Sequence, residues 1–293
     1  MNPLALVAYC GCALIWGTTY YAIRVCIAPG GYPTYLAAAL RFAIAAVILG
    51  GLVAAGWARP APRGRRALVA LGIAGVLNFV SYMLVYTAEE RIPGGLAAVI
   101  FGTLPLVTAV VAAVTGTERP TRSAVVGAIV SLGGIALISL ERLEVSAPQA
   151  IGCLMVFGAV VCASCCNTLL KRETAVQHPL ASNAVFLAVT ALFMGALAAA
   201  AGHAVPWPPP PGPTLAVLYL AVIGSVVAFA GYFYLLQHVR LMTISTLVLV
   251  QPVVALTVDA LFEAQRIAPR TYLGAAITLA GVAMSLLGRI KSG

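Results

Sequence analysis

Long apolar runs separated by short loops constrain this chain more than any other feature. Ten can be read along it, at 4–26, 32–56, 67–88, 93–116, 121–140, 150–170, 180–201, 214–238, 241–262 and 270–288. Each comes close to the roughly 20 residues that cross a bilayer as a helix. Of the 293 residues, 62% are hydrophobic and only 9% are charged, against about 25% in a soluble domain whose surface must face water. The expected fold class is therefore all-α and integral to the membrane, with ten transmembrane helices.

The net charge of +9 invites a nucleic-acid reading, so its placement matters. With the N-terminus inside, the inside segments carry Arg59, Arg63, Arg65, Arg66, Arg119, Arg122, Lys171, Arg172, Arg240, Arg289 and Lys291, and the outside loops only Arg91, Arg142, Arg266 and Arg270. That positive-inside bias puts both termini in the cytoplasm. The basic surplus is a topology signal, and no contiguous basic face is left for a nucleic acid. The first span is expected to stay in the chain. Met1-Asn2-Pro3 brings no basic residue, and no A-x-A site ends the run. The seven cysteines (10, 12, 26, 153, 162, 165 and 166) lie within or at the ends of spans. No histidine or acid neighbours Cys162, Cys165 and Cys166 in sequence, so buried packing is expected rather than a metal site or a disulfide framework.

A fixed offset recurs along the chain. Pro105 and Pro252 are 147 residues apart, as are Arg119 and Arg266, Gly127 and Gly274, Ala128 and Ala275, Gly134 and Gly281, and Leu140 and Leu287. Between 103 and 140 no gap is needed, and earlier an offset of 146 pairs Pro33 with Pro179. Residues 1–145 then form one five-helix unit and 146–293 a second. Five is odd, so a unit that starts inside ends outside, and its copy runs in the opposite sense. Such inverted repeats enclose a central cavity near the midplane that opens alternately to either side. A repeat kept only for packing is the plainer alternative. The loops leave no room for a soluble catalytic domain. The longest outside stretch, Gly202 to Pro213, is proline-rich and stiff, with Trp207 expected at the interface.

Trp16-Gly17-Thr18-Thr19-Tyr20 in the first span resembles the W-G-[ST]-x-[FY] signature of the drug/metabolite transporter superfamily, EamA branch. Leu40-Arg41-Phe42 looks like that family's Arg-Phe element. Leu104-Pro105-Leu106 followed by Glu118, and Gln251-Pro252-Val253 followed by Glu263, resemble its P-[VL]…E element in both halves. Thr117 separates Gly116 from Glu118 where the family has Gly-Glu together, and the second half offers Cys162-Ala163-Ser164 in place of a Trp-Gly pair. The resemblance covers nearly the whole chain. It implies a multi-pass exporter of small metabolites in the bacterial inner membrane, and the subfamily most resembled exports aromatic amino acids.

Polar side chains inside a span should face a cavity or a partner helix. The candidate substrate-binding residues are Trp16 and Tyr20 in the first span, Asn78 and Tyr82 in the third, and Phe101 in the fourth. The second half adds Ser164 and Asn167 in the sixth span, Tyr232 in the eighth and Gln251 in the ninth. Rings that bind a flat apolar face, beside amides that hold a charged head, suit an amino acid. Packing is the alternative for each, and small polar residues such as Ser164 and Asn167 also join helices. Phe157, Ser225 and Phe229 complete the helical stripes. Tyr9, Tyr32 and Tyr219, near span ends, read as interfacial anchors.

Pro105 and Pro252 should kink equivalent spans, as gate hinges or as static bends. Arg41 and Asp259 are the candidate charge sites. Arg41 should pair with backbone carbonyls or line the cavity, and Asp259, about a turn from a span end, should snorkel to water. The first acid is Glu89, so the first two spans hold no carboxylate for proton coupling. Few cations converge on the pathway, which disfavours phosphate-bearing cargo. Gly127/Ser131/Gly134 and Gly274/Thr278/Gly281 make small-residue faces suited to close packing. No catalytic constellation, metal cluster or cofactor motif is found. The leading expectation is a monomeric secondary transporter exporting aromatic or other neutral amino acids by alternating access. A broad exporter of apolar amines and drugs is the second reading, and an intramembrane enzyme or assembly factor the third.

Overall fold

Helices follow the apolar runs because backbone polar groups in hydrocarbon must be satisfied within the segment. In the computed structural model, described over residues 2–58, 64–92, 97, 100–139, 147–173, 178–262 and 269–287, all regular structure is helical. Expectations on Arg59, Arg63, Arg142, Glu263, Arg266, Arg289 and Lys291 lie outside these residues, as do the side chains of Asp259 and Arg270. Six helices are long and apolar enough to cross a membrane: α1 (Pro3–Ile27), α2 (Thr34–Ala54), α3 (Arg65–Glu89), α6 (Ala147–Glu173), α7 (Pro179–Ala200) and α8 (Pro211–His238). Shorter apolar helices follow the other runs: α4 (Leu104–Val114), α5 (Arg122–Ser139), α9 (Leu241–Ser245) with α10 (Leu247–Phe262), and α11 (Pro269–Leu287).

Local signals set the ends. Asn2 caps α1, its Oδ1 accepting from the Ala5 amide at 2.7 Å, and Pro3 follows where a missing N–H costs nothing. At the other end the Tyr32 amide reaches back to the Cys26 carbonyl at 2.8 Å across Gly30, whose φ of 82° suits glycine, so the chain reverses tightly into α2. Pro211 and Pro213 open α8.

Pairing is specific. α5 packs along α11, α2 along α7, α3 along α6 and α7, α1 along α8 and α10, and α4 against α6. The α5–α11 contact is the closest. A Cβ on Gly134 would lie 2.6 Å from the Gly274 carbonyl oxygen, and one on Gly281 2.5 Å from that of Gly127. Ser131 Oγ donates to the Thr278 carbonyl at 2.9 Å, and Thr278 Oγ1 to the Ser131 carbonyl at 3.4 Å. Two helices thus touch backbone to backbone through small residues.

The two ends of the bundle differ. At the end holding Asn2, charges tie helices together: Arg66 to Glu173 at 2.7 and 2.8 Å, Arg240 to Glu118 at 2.8 Å, and Lys171 Nζ to the Val239 carbonyl at 2.6 Å. Glu118 also accepts from the Leu241 amide at 2.7 Å, holding the start of α9. At the other end the ties are hydroxyls and rings, such as Tyr35 to Thr87 at 2.8 Å and Tyr32 to Thr214 at 2.9 Å. Glu118→Ala is expected to destabilise by roughly 1.5–3 kcal/mol, since a charged acceptor leaves an amide and a guanidinium behind. Arg66→Ala, at a pair whose arginine side chain is 75% exposed, should change stability far less, because solvent screens the pair. Thermal unfolding of the detergent-solubilised protein compares them; equal shifts would contradict this ranking.

Candidate functional site

Interrupted helices shape the middle of the bundle. α4 begins only after a turn at Gly102–Thr103, and Pro105 sits in its first turn, where it removes no helical bond. Pro105 therefore marks a restart rather than the mid-helix kink its sequence position suggested. Pro252 does lie inside a helix, α10, and the break in its run comes earlier, at Thr246. There Thr246 Oγ1 bonds back to the Thr243 carbonyl and to Tyr9 Oη, each at 2.7 Å. Side-chain hydroxyls satisfy the freed backbone.

The third irregularity lies in α8, where Val222–Val227 form a π-helical turn. Within that turn the Gly224 carbonyl accepts from side chains of two other helices. Trp16 Nε1 donates to it at 3.2 Å, and so does Arg41 Nη2 at 3.2 Å. Arg41 Nε donates to Ser225 Oγ at 2.9 Å, and the guanidinium lies 5.1 Å from the Phe42 ring centroid and 5.3 Å from that of Tyr82. One bulge therefore locates both the tryptophan and the cation.

Around this point lies a chamber with about 160 Å³ of space, close to the roughly 150 Å³ that admits a benzene ring elsewhere. Much of its lining is aromatic. Trp16 stands 5.4 Å from Phe229 and 5.4 Å from Tyr232, and Tyr82 meets Phe42 edge-on at 4.9 Å. The Tyr232 hydroxyl is buried without a hydrogen-bond partner, a group that a polar ligand atom would satisfy. The lining also carries amides: Gln251, whose Oε1 accepts from Tyr20 Oη at 3.3 Å; Asn78, bonded to Thr190 at 3.2 Å; and Asn167.

Trp16, Tyr20, Asn78, Tyr82, Phe101, Asn167, Tyr232 and Gln251 all line the chamber, together with Arg41. Ser164 does not. It is fully buried, accepting from Thr108 Oγ1 at 3.2 Å, and so joins α6 to α4. Phe157 is 45% exposed on the outer surface. Of the expected interfacial anchors, Tyr9 is buried and bonded to Thr246, and Tyr32 is buried and bonded to Thr214 at the end of the bundle. Asp259 lies two turns beyond Gln251 along α10. Sequence reasoning did not single out Ser81, Ile244 and Leu247, which also line the space. Their signal was only that of ordinary helix faces.

A helical membrane bundle with a ring-lined chamber at interrupted helices suits a carrier, and comparison with known proteins decides the family. The model of the EamA-like transporter family matches residues 3–140 and again 150–287. The chain belongs to the EamA-like transporter family. It is thus a membrane protein of the drug/metabolite transporter superfamily, whose members carry small molecules. Among its relatives, the uncharacterized inner membrane transporter YedA of Escherichia coli is 26% identical over 279 residues, covering 94% of this chain and 88% of YedA. A probable terminal-alkyne amino-acid exporter of Streptantibioticus cattleyicolor is 25% identical over 272 residues, covering 91% and 88%. A solved crystal structure superposes at a TM-score of 0.79 over 98% of this chain and 99% of the other, at 21% identity, a likeness of fold alone.

Proposed function

We propose that this EamA-like transporter exports aromatic or other neutral amino acids through the bacterial inner membrane by alternating access. The observation that carries the reading is the chamber, where aromatic rings and three amides meet in a space fit for one ring-bearing amino acid. The S. cattleyicolor relative's name, an amino-acid exporter, and YedA's, an inner membrane transporter, point the same way.

In this reading ten helices form two oppositely oriented halves, 1–145 and 146–293, with both termini in the cytoplasm. Several observations support it. Ser131 and Thr278 exchange reciprocal bonds at an offset of 147, and α5 meets α11 through equivalent glycines. The family model matches each half. Lys171, Arg66 and Arg240 gather at the end holding Asn2, as cytoplasmic cations do. α4 and the α9–α10 pair are both interrupted, as in transporters whose broken helices line the substrate site. Pro105 and Pro252, beside those interruptions, are the hinges.

Purified protein in liposomes is expected to move labelled phenylalanine and threonine saturably. Flux no greater than in protein-free liposomes for both would reject the amino-acid reading.

A further inference from the structure

The chamber's charge is unbalanced. Arg41 is 1% exposed, and among the described residues its hydrogen bonds run from Nε to Ser225 and from Nη2 to the Gly224 carbonyl. A guanidinium has five N–H donors, so three of them have no acceptor among the described residues. The charge meets only the Phe42 and Tyr82 rings, with no described carboxylate, where Arg41 lines the chamber. No Asp or Glu is among the described residues lining the chamber. The described carboxylates are elsewhere: Glu118 on Arg240, Glu173 on Arg66 and Arg172, and Glu90 beside Arg91. A cation buried at this depth is costly unless something completes it.

The rigid fork of a guanidinium matches a carboxylate, which takes two parallel N–H bonds. The surrounding groups fix the rest of the ligand. Trp16, Tyr82 and Phe229 offer ring faces to an apolar body. An ammonium finds only neutral acceptors, the oxygens of Asn78, Asn167 and Gln251. The charge is also confined to one half. At the offset of 147, Ser225 corresponds to Asn78, which bonds the neutral Thr190. At the offset of 146, Arg41 corresponds to Leu187.

We propose that Arg41 is the carboxylate-binding residue of this chamber, and that its cargo is a small apolar monocarboxylate, zwitterionic or simply anionic. An amine without a carboxylate is rejected. The inference rests on the carrier reading and names its substrate class. One cation without a counter-ion asks for one negative charge, and an amino group is accepted without being required.

Trp16 is on the wall, whereas Trp57 and Trp207 are 74% and 88% exposed. A full-length W57F/W207F protein therefore reports binding through Trp16 fluorescence alone. Three ligands share one ring: phenylalanine, 3-phenylpropionate without the ammonium, and phenethylamine without the carboxylate. Both carboxylates are expected to bind at least about tenfold more tightly than the amine. Arg41→Gln should erase that preference, and Arg41→Lys should retain it at lower affinity. Should Arg41→Gln not fold, Ser225→Ala, which loosens Nε but keeps the charge, is expected to weaken both carboxylates several-fold and leave the amine unchanged. Three results overturn the proposal: phenethylamine binding as tightly as the carboxylates, a preference surviving in Arg41→Gln, or no carboxylate binding at all. Equal weakening of all three ligands by Ser225→Ala does so too. Absent amino-acid flux with Arg41-dependent binding intact would instead defeat the carrier reading and leave this site standing.

Discussion

Gly134→Leu and Gly281→Leu are each expected to leave little folded protein, while Gly133→Leu, one residue along the same helix, leaves it intact. The contrast follows from where a side chain would go. At Gly134 a Cβ meets the Gly274 carbonyl oxygen at 2.6 Å and the Thr278 amide nitrogen at 2.6 Å, and at Gly281 it meets the Gly127 carbonyl at 2.5 Å. These are backbone atoms, which cannot turn aside as the end of a side chain can. At Gly133 nothing lies within 4 Å. Even alanine at Gly134 or Gly281 should destabilise by about 1–3 kcal/mol through overpacking. At Gly133 alanine should stabilise slightly, by up to about 1 kcal/mol, because glycine is a poor helix former. Thermal unfolding midpoints in detergent measure the difference. A Gly134→Ala midpoint matching that of Gly133→Ala would show that α5 and α11 do not meet as described.

Trp16→Ala and Tyr82→Ala are expected to lower amino-acid flux at least about tenfold, equivalent to about 1.4 kcal/mol of lost ligand stabilisation. Trp16 contributes its ring beside Phe229 and Tyr232, and through Nε1 it holds the π-turn at Gly224. Tyr82 braces Arg41 at 5.3 Å and Phe42 at 4.9 Å. Trp16→Phe keeps a ring but drops the N–H, so it should fall between wild type and alanine. Leu14→Ala, on the exposed face of the same helix, should leave flux unchanged. Initial rates in liposomes at matched protein density test the series. Wild-type rates in both Trp16→Ala and Tyr82→Ala would remove the chamber from the transport path.

Much of the architecture was legible because bilayer physics is severe. A run long enough to cross hydrocarbon is satisfied as a helix, so many helix bounds sit within a few residues of the apolar runs, as with Thr34–Ala54 inside 32–56. α4, however, starts only at Leu104 in the run 93–116. The glycine faces of α5 and α11 were legible for a similar reason, since close helix contact tolerates only small residues there. The aromatic and amide groups of the chamber could be picked out because deep polar side chains need a reason.

What stayed hidden depends on irregular backbone. Nothing in Val222–Val227 announces a π-turn: its residues are apolar apart from Ser225, and Gly224 is tolerated in any helix. That turn is what brings the Gly224 carbonyl to Arg41. The sequence could name the cation and a backbone carbonyl as its kind of partner, but not which carbonyl. Pro105 drew attention as a kink because proline in a helix interior removes a bond. The preceding turn at Gly102–Thr103, which relieves it, carries only a lone glycine as signal. Ser164 shares a helical stripe with Asn167, but its rotation about α6 points it at Thr108 rather than into the chamber. Helical periodicity alone could not separate those faces.

The central claim is a mid-membrane chamber that meets each side of the membrane in turn. Ser245 lines that chamber and is buried, so Ser245→Cys in a cysteine-free background places one thiol at the decisive position. In proteoliposomes of known orientation, a membrane-impermeant maleimide should label it from either face, and phenylalanine should slow the reaction from both. Labelling from one face alone under all conditions, or at a rate indifferent to phenylalanine, would contradict the account.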